Sequence, residues 1–582
     1  MASLLHSPPS NPRYYLSLCP PSNPRVGQVC LGTKFDQLQK GIMHFSVCLQ
    51  IQKSNVKIYK IPQRAIARPF ATAGSLEKNG ANGHVSSKIL APNDFERSKV
   101  LDDSSGVPMH GLYDFERQLQ ELFDEVKTTI KEGNINDAVD ILRANYNSVK
   151  DQMDAGARGI EEAAMLDIIT LGYMAVGDLK LVASLLDMLN EVVSGLKNEE
   201  PLLDSVLVHM GSMYSVLGKF EKSMLMYRRV LDILERTYGK SNTFLITPLL
   251  GIAKVLGSTG KVTEAIEHYH GAMTILELSR GSESEDLVVP LFGLGNLLLK
   301  EGRVADAENS FIRILDVYTK LYGENDGRVG MAMCSLAHVK CAKGSVDEAI
   351  HLYKSALQII KDSSYMALDD NIMEKMRIDL AELLHVVGRG KEGRELLEEC
   401  LLITEKYKGK EHPSLVTNIL NLATSYSRSK NFVEAERLLR TSLQILKKSV
   451  GPDDQSITFP MLHLAVTLYH LKRDEEAESL ALEVLRIREK AFGKESVPVG
   501  EALDCLASIQ MRLGRDDGAL LELLKRVLRI QERELGYESE EVLETLKKIV
   551  FYLDRMGRGE EKLPLQRRLS MLRTKFKQRV RY

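Results

Sequence analysis

Leu217-Gly218-Lys219-Phe220, Thr259-Gly260-Lys261-Val262, Glu301-Gly302-Arg303-Val304 and Lys343-Gly344-Ser345-Val346 follow one another at a constant step of 42 residues, and this beat decides the fold. After one step of 44 the column continues through Gly388, Lys430, Lys472 and Gly514. A small residue precedes each turn at Gly211, Ala253, Gly295, Ala337, Ala381, Ala423, Ala465 and Ala507. A second follows it at Ser223, Ala265, Ala307, Ala349, Gly393, Ala435, Ala477 and Ala519, and then a bulky one at Tyr227, Tyr269, Phe311, Tyr353, Leu397 and Leu439. A small side chain lets two antiparallel helices approach, and a large one fills the space that is left. Glycine at the turn adopts φ > 0 and ends the first helix.

Working outward, apolar residues within each unit recur at i, i+3, i+4, as in Leu438, Leu439, Leu443 and Leu446. A further glycine separates units at Gly239, Gly281, Gly323, Gly409, Gly451 and Gly493, followed by polar helix-starting signals such as Lys410-Glu411-His412-Pro413. No stretch alternates with period two between hairpin signals. The expected fold is all-α, a right-handed α-α superhelix of roughly ten or eleven helix pairs. A regular array is expected over 201–537, divergent pairs over 112–200, and a capping pair with a basic tail over 538–582.

The small residue of the first helix, the turn glycine and the Asp/Glu-Ala step of the second helix (Glu264-Ala265, Asp306-Ala307, Glu348-Ala349, Glu434-Ala435, Glu476-Ala477) resemble the tetratricopeptide repeat family. The 42-residue period, with linkers such as Gly409-Lys-Glu-His-Pro413, is similar to the kinesin-light-chain subtype. The resemblance implies a scaffold that binds proteins or extended peptides along its first helices. Chaperone-binding members grip a C-terminal carboxylate with Lys, Asn and Arg on successive first helices. Lys131-Glu132-Gly133-Asn134 is superficially similar, but it lies at a turn and no Lys/Arg ladder follows. Kinesin light chains hold cargo with Asn residues just before the small residue of the first helix. That column here reads His209, Gly251, Gly293, Ser335, Asp379, Asn421, His463 and Cys505, so only Asn421 keeps the family residue. The candidate groove residues are His209, Asn296, His338, Asn421 and His463, with His338, His385, His463 and His470 expected at the surface or in the groove.

The ends of the chain have their own chemistry. From Met1 to Ser75 the only acid is Asp36, against nine basic residues, and the segment is rich in Ser and Pro. That is how an organelle transit peptide reads, with the chloroplast ahead of the mitochondrion and then the cytosol. Its removal from a chain of net charge -2 would leave about -10. Residues 76–111 are polar and aperiodic and read as a linker. After Glu561 there is no acid, while Arg567, Arg568, Arg573, Lys575, Lys577, Arg579 and Arg581 form a basic patch. Leu565, Leu569, Leu572 and Phe576 fall close to one helical face, which reads as a cap, with an acidic partner, RNA or anionic lipid as the sharper alternative.

No P-loop, HExxH, GxSxG or CxxC pair is present among the 582 residues; three of the seven cysteines, Cys19, Cys30 and Cys48, fall in the N-terminal basic segment, and Cys334 and Cys341, seven apart on one helix face, suggest small core positions. No enzyme, cofactor, metal or small-molecule substrate is expected, and the acidic balance argues against nucleic acid. No apolar run reaches the ~20 residues that span a bilayer, though peripheral membrane association stays open. The expected function is a scaffold or assembly factor for client proteins inside the chloroplast. A cytosolic kinesin-light-chain-related adaptor and an RNA-associated repeat protein are the alternatives.

Overall fold

Each first helix ends in the same hydrogen-bonded reversal. The computed structural model describes residues 109–579, with side chains from 115 to 576. Among these residues there are 22 α-helices and no strand, the all-α superhelical repeat fold expected from the 42-residue beat. The segment 1–75 and residues 76–108 of the expected linker lie outside the described residues.

Two compact units divide the chain between Leu297 and Leu298. The first holds α1 (Met109–Lys131), α2 (Ile135–Asp154), α3 (Ile160–Val176), α4 (Leu179–Ser194), α5 (Leu203–Val216), α6 (Phe220–Tyr238), α7 (Ile246–Ser258), α8 (Val262–Arg280) and most of α9 (Val288–Lys300). The second opens with α10 (Val304–Tyr322), α11 (Gly327–Lys343), α12 (Val346–Asp362), α13 (Asn371–Val386), α14 (Gly390–Lys408) and α15 (Leu415–Arg428). It continues through α16 (Phe432–Val450), α17 (Thr458–His470), α18 (Asp474–Phe492), α19 (Val497–Leu513), α20 (Asp517–Leu535), α21 (Glu540–Arg555) and α22 (Gly559–Arg579). Odd-numbered helices are the first members of pairs and even-numbered ones the second.

After α5, Gly218 takes φ 73° and the Lys219 N–H donates to the Tyr214 carbonyl at 2.9 Å. This bond, from the residue after the left-handed position to the carbonyl five residues back, satisfies an orphan acceptor at the helix end. It recurs after α7 (Lys261 to Leu256, 2.9 Å), α11 (Ser345 to Lys340, 2.9 Å), α15 (Asn431 to Tyr426, 2.9 Å) and α21 (Arg558 to Leu553, 2.9 Å). Lys430 and Lys472 replace glycine in the column, yet both keep the left-handed backbone at φ 59° and 61°. The geometry is therefore imposed by the packing of the pair, at about 1–2 kcal/mol for each side chain held there.

Close approach of the helices explains the small and large columns. Tyr227 on α6 stands against two glycines: a Cβ on Gly211 would lie 2.9 Å from its ring, and one on Gly251, in the next first helix, only 2.4 Å away. Gly293 meets Tyr269 in the same manner at 2.6 Å. Ser223 Oγ donates to the Gly211 carbonyl at 2.6 Å and closes the same crossing. Fully buried Leu189, Leu207 and Tyr214 belong to the core of the first unit, and Leu439, Ile457 and Val484 to that of the second.

Pairs are joined by a second constraint. Gly239 ends α6 at φ 82°, ψ 169°, a combination open essentially to glycine alone. Three residues on, a polar side chain starts the next element: Asn242 accepts from the Phe244 N–H, Asp326 from Arg328 and Asp454 from Ser456, at 2.8–2.9 Å. The junction after α12 departs from this rule. It has no glycine, Ser364 takes φ 51°, and Arg377, only 3% exposed, donates to the Leu368 carbonyl at 3.2 Å to hold the longer connection.

Lys472→Gly should raise stability by about 0.5–1 kcal/mol, since relief of the left-handed strain exceeds the entropy cost of glycine. Urea denaturation followed by circular dichroism measures it. By the same measurement Gly251→Ala should lose about 1–2 kcal/mol, because overpacking against Tyr227 outweighs the gain in helix propensity.

Candidate functional site

The structure distributes the candidate residues over two units: His209 and Asn296 lie in the first, and His338, Asn421 and His463 in the second. No hydrogen bond or ion pair joins any two of these described side chains. Polar side chains on first helices instead pair from one repeat to the next. His209 on α5 places Nδ1 2.6 Å from Asp167 Oδ2 on α3, and that carboxylate is 3% exposed. Burial opposes a charge on His209, yet the Asp167 carboxylate outweighs it and moves the imidazole above its usual range. Asp167 stands 42 residues before His209, so the repeat step itself was the signal that sequence reasoning missed.

His338 on α11 makes the corresponding bridge in the second unit. Its Nδ1–H donates to the Cys334 carbonyl at 2.8 Å, and Nε2 lies 3.6 Å from Asp379 Oδ2 on α13. That distance suits an ion pair but is too long for a hydrogen bond. The Tyr353 ring closes the site edge-on, with centroids 5.3 Å apart. Burial works to keep His338 neutral, but Asp379 and the Cys334 side chain overcome it and push the imidazole up to about 10. Near the other end Lys548 Nζ on α21 reaches Asp504 Oδ1 on α19 at 2.7 Å.

Asn421 on α15 is half-buried and lines a cavity of about 20 Å³ with Ile378, Glu382 and His385 of α13, Leu397 of α14, and Thr424, Ser425 and Arg428 of α15. That volume admits a water molecule. Inside it Ser425 Oγ lies 2.6 Å from His385 Nε2. Burial, with Arg428 and Arg394 nearby, lowers His385 to about 4, so the ring is neutral and shares one hydrogen bond with the Ser425 hydroxyl. His385, expected at the surface or in the groove, lines this cavity, whereas Ser425 and Arg428 stand in columns that carry no family signature.

His463 does not stand at the surface or in a groove. It is 6% exposed within α17, its ring 4.5 Å from Phe459, and burial together with Arg488 lowers it to about 4. The column holds a first-helix position as expected, but Phe459 on the same helix and Arg488 on the second helix of the pair stand beside the buried ring. Asn296 is half-buried on α9. Among the described residues no group of His, Cys, Asp and Glu side chains is arranged to hold a metal. Burial pushes the Cys341, Cys400 and Cys505 thiols up to about 12, as suits packing rather than reactivity.

The basic C-terminal helix divides by side. Leu565, Leu569, Leu572 and Phe576 pack into the last core with Leu546 and Leu553. Arg568 pairs with Glu532 and donates to the Tyr537 carbonyl at 3.0 Å, and Lys575 pairs with Glu538. Arg567 and Arg573 are exposed, with no ion pair among the described residues. The side chains of Lys577, Arg579 and Arg581 lie outside the described residues.

Tetratricopeptide repeat models match residues 286–362 and 373–448, and a second such model matches 205–243 and 461–497. The chain is a tetratricopeptide-repeat protein. Proteins of this family are generally non-enzymatic scaffolds for protein partners, and protein–protein interaction is the function the repeats support here. Among solved structures, BtubC (BKLC) from P. vanneervenii is 17% identical to the repeat protein, covering 41% of this chain and 92% of its own at a TM-score of 0.34. Repeats described as those of a Podosopora anserina kinesin light chain are 22% identical, covering 36% of this chain and 99% of theirs at 0.33. A Rap protein complexed with competence and sporulation factor is 14% identical, covering 68% and 99% at 0.30. No curated protein matches the sequence at a significant level. None of the described helices of this tetratricopeptide-repeat protein is long and apolar enough to cross a membrane.

The His338–Asp379 bridge carries a pH signature. A histidine raised in the folded state contributes stability that is complete below its unfolded value near 6.5 and is lost as pH rises through about 10. Asp379→Asn should therefore destabilise the protein at pH 7, and the gap from wild type should narrow towards pH 10. Urea midpoints measured across that range test this.

Proposed function

We propose that this tetratricopeptide-repeat protein is an assembly or regulatory scaffold of the chloroplast stroma that holds an extended segment of a client protein on the first helices of its second unit. The observation that carries the binding site is the small cavity at Asn421, where successive first helices leave polar groups in reach of a ligand. The Asn421 amide both donates and accepts, which suits a peptide backbone. Exposed Arg428 offers a charge-assisted contact to a carboxylate. Ser425 and His385 satisfy one another and form the floor rather than the contact surface.

Support for the compartment is the acid-poor, Ser/Pro-bearing segment from Met1 to Ser75. Its fusion to a fluorescent protein should accumulate in plastids, and a wholly cytosolic signal would sink the compartment. For the binding site, tagged wild-type protein should capture a set of clients that Asn421→Ala/Arg428→Glu loses with unchanged circular dichroism. Capture of the same set by both would remove Asn421 from the contact surface.

A further inference from the structure

Among the described residues, the outer side of α22 is a face with unpaired cations that the repeat packing leaves open. At positions 563, 567 and 571 the helix presents Leu563 (54% exposed), Arg567 and Met571 (55% exposed) at a spacing of four, on the side opposite the buried Leu569 and Leu572. Exposed Arg573 lies on one flank, and exposed Ser570 and Thr574 fill the rest of the strip. Cations on the other flank are already committed, Arg568 to Glu532 and Lys575 to Glu538. Arg567 and Arg573 have no such partner among the described residues, and no acid lies on α22 beyond Glu561. The chain as a whole is weakly acidic, so this face is set apart from the average surface.

We propose that the outer strip of α22 docks the protein on an anionic lipid surface. A cationic helix face interleaved with aliphatic side chains is the composition of an interfacial helix: the guanidinium groups meet lipid phosphates while leucine and methionine enter the acyl boundary. RNA fits the strip less well, because it carries no aromatic ring on which a base could stack; Phe576 is turned into the core. A folded acidic protein would be met by two apolar side chains on a single convex helix, short of the buried apolar centre of a stable protein interface. The rest of the helix already performs its structural duty through Leu565, Leu569 and Leu572, so docking needs no unfolding of the last pair.

The test uses the full chain with vesicles of phosphatidylcholine alone or with about one third phosphatidylglycerol, scored by co-sedimentation. Wild type should bind the anionic vesicles, lose them at high salt, and ignore the neutral ones. Arg567→Glu/Arg573→Glu should weaken binding roughly tenfold or more. Because the chain contains 0 tryptophans, Met571→Trp introduces a sole tryptophan, excited selectively on the long-wavelength side of the tyrosine band. Its emission should shift to the blue on anionic vesicles only, and this reports on the strip even if the charge-reversed variant misfolds. Absence of vesicle binding at low salt, binding indifferent to the charge reversal in folded protein, or co-sedimentation without a blue shift overturns the proposal. So does charge-sensitive capture of RNA or an acidic peptide by a chain that leaves the vesicles alone.

Discussion

The repeat depends on a single backbone state, one residue with φ > 0 followed by an N–H that reaches back five residues to an orphan carbonyl. With the first helix closed in this way, the chain reverses within three residues, as between Lys343 and Val346, and the second helix must run back along the first. Antiparallel contact then requires one helix to be thin where the other is thick. Tyr227 between Gly211 and Gly251 is that requirement in atoms, since it serves its own pair and the next with one ring. Turn and crossing are mutually dependent: either alone would leave unpaired carbonyls or an unfilled gap.

Polar groups on the first helices work under a different constraint. Bridges such as Asp167–His209 and Asp504–Lys548 join one repeat to the next. Removing water from such charges costs free energy that the mutual attraction recovers only when both partners are present, so these pairs set register more than they add stability. Ion pairs between second helices, such as Lys354–Glu392 at 3.0 Å, lie in water and contribute about 0–1 kcal/mol each. Among the described residues, no hydrogen bond or ion pair ties Asn421 or Arg428 to a neighbouring repeat.

Much of the fold could be read from the sequence, because the turn and the small residues are local requirements repeated eight times over, with a bulky residue accompanying six of them. Lys430 and Lys472 were placed in the turn column by spacing alone, and the left-handed φ at both bears that out. The cap on the last core was also legible, since Leu565, Leu569, Leu572 and Phe576 share one face. The candidate site was less so. First-helix positions of one column look alike in sequence but differ in burial, as half-buried Asn421 and enclosed His463 demonstrate. Burial there is decided by side chains on other helices, such as Arg488 beside His463 and Ile378 beside Asn421, which a pattern along one helix does not encode. Pairs such as His385 with Ser425 escaped for the same reason.

The connection after α12 has an informational consequence. From Gly218 to Gly344 and again from Gly388 to Gly514 the chain keeps time in steps of 42, so a whole unit could be duplicated or excised between equivalent turns and every column of that stretch would resume in phase. Across Ser363–Asp370 the count is longer by two, glycine is absent, and Arg377 is fitted to a carbonyl that only this connection supplies. An exchange of segments spanning it would leave one copy of the clasp without its loop. The array is therefore modular on either side of this junction and individual at it, a fixed reference mark in a sequence that is otherwise interchangeable with itself.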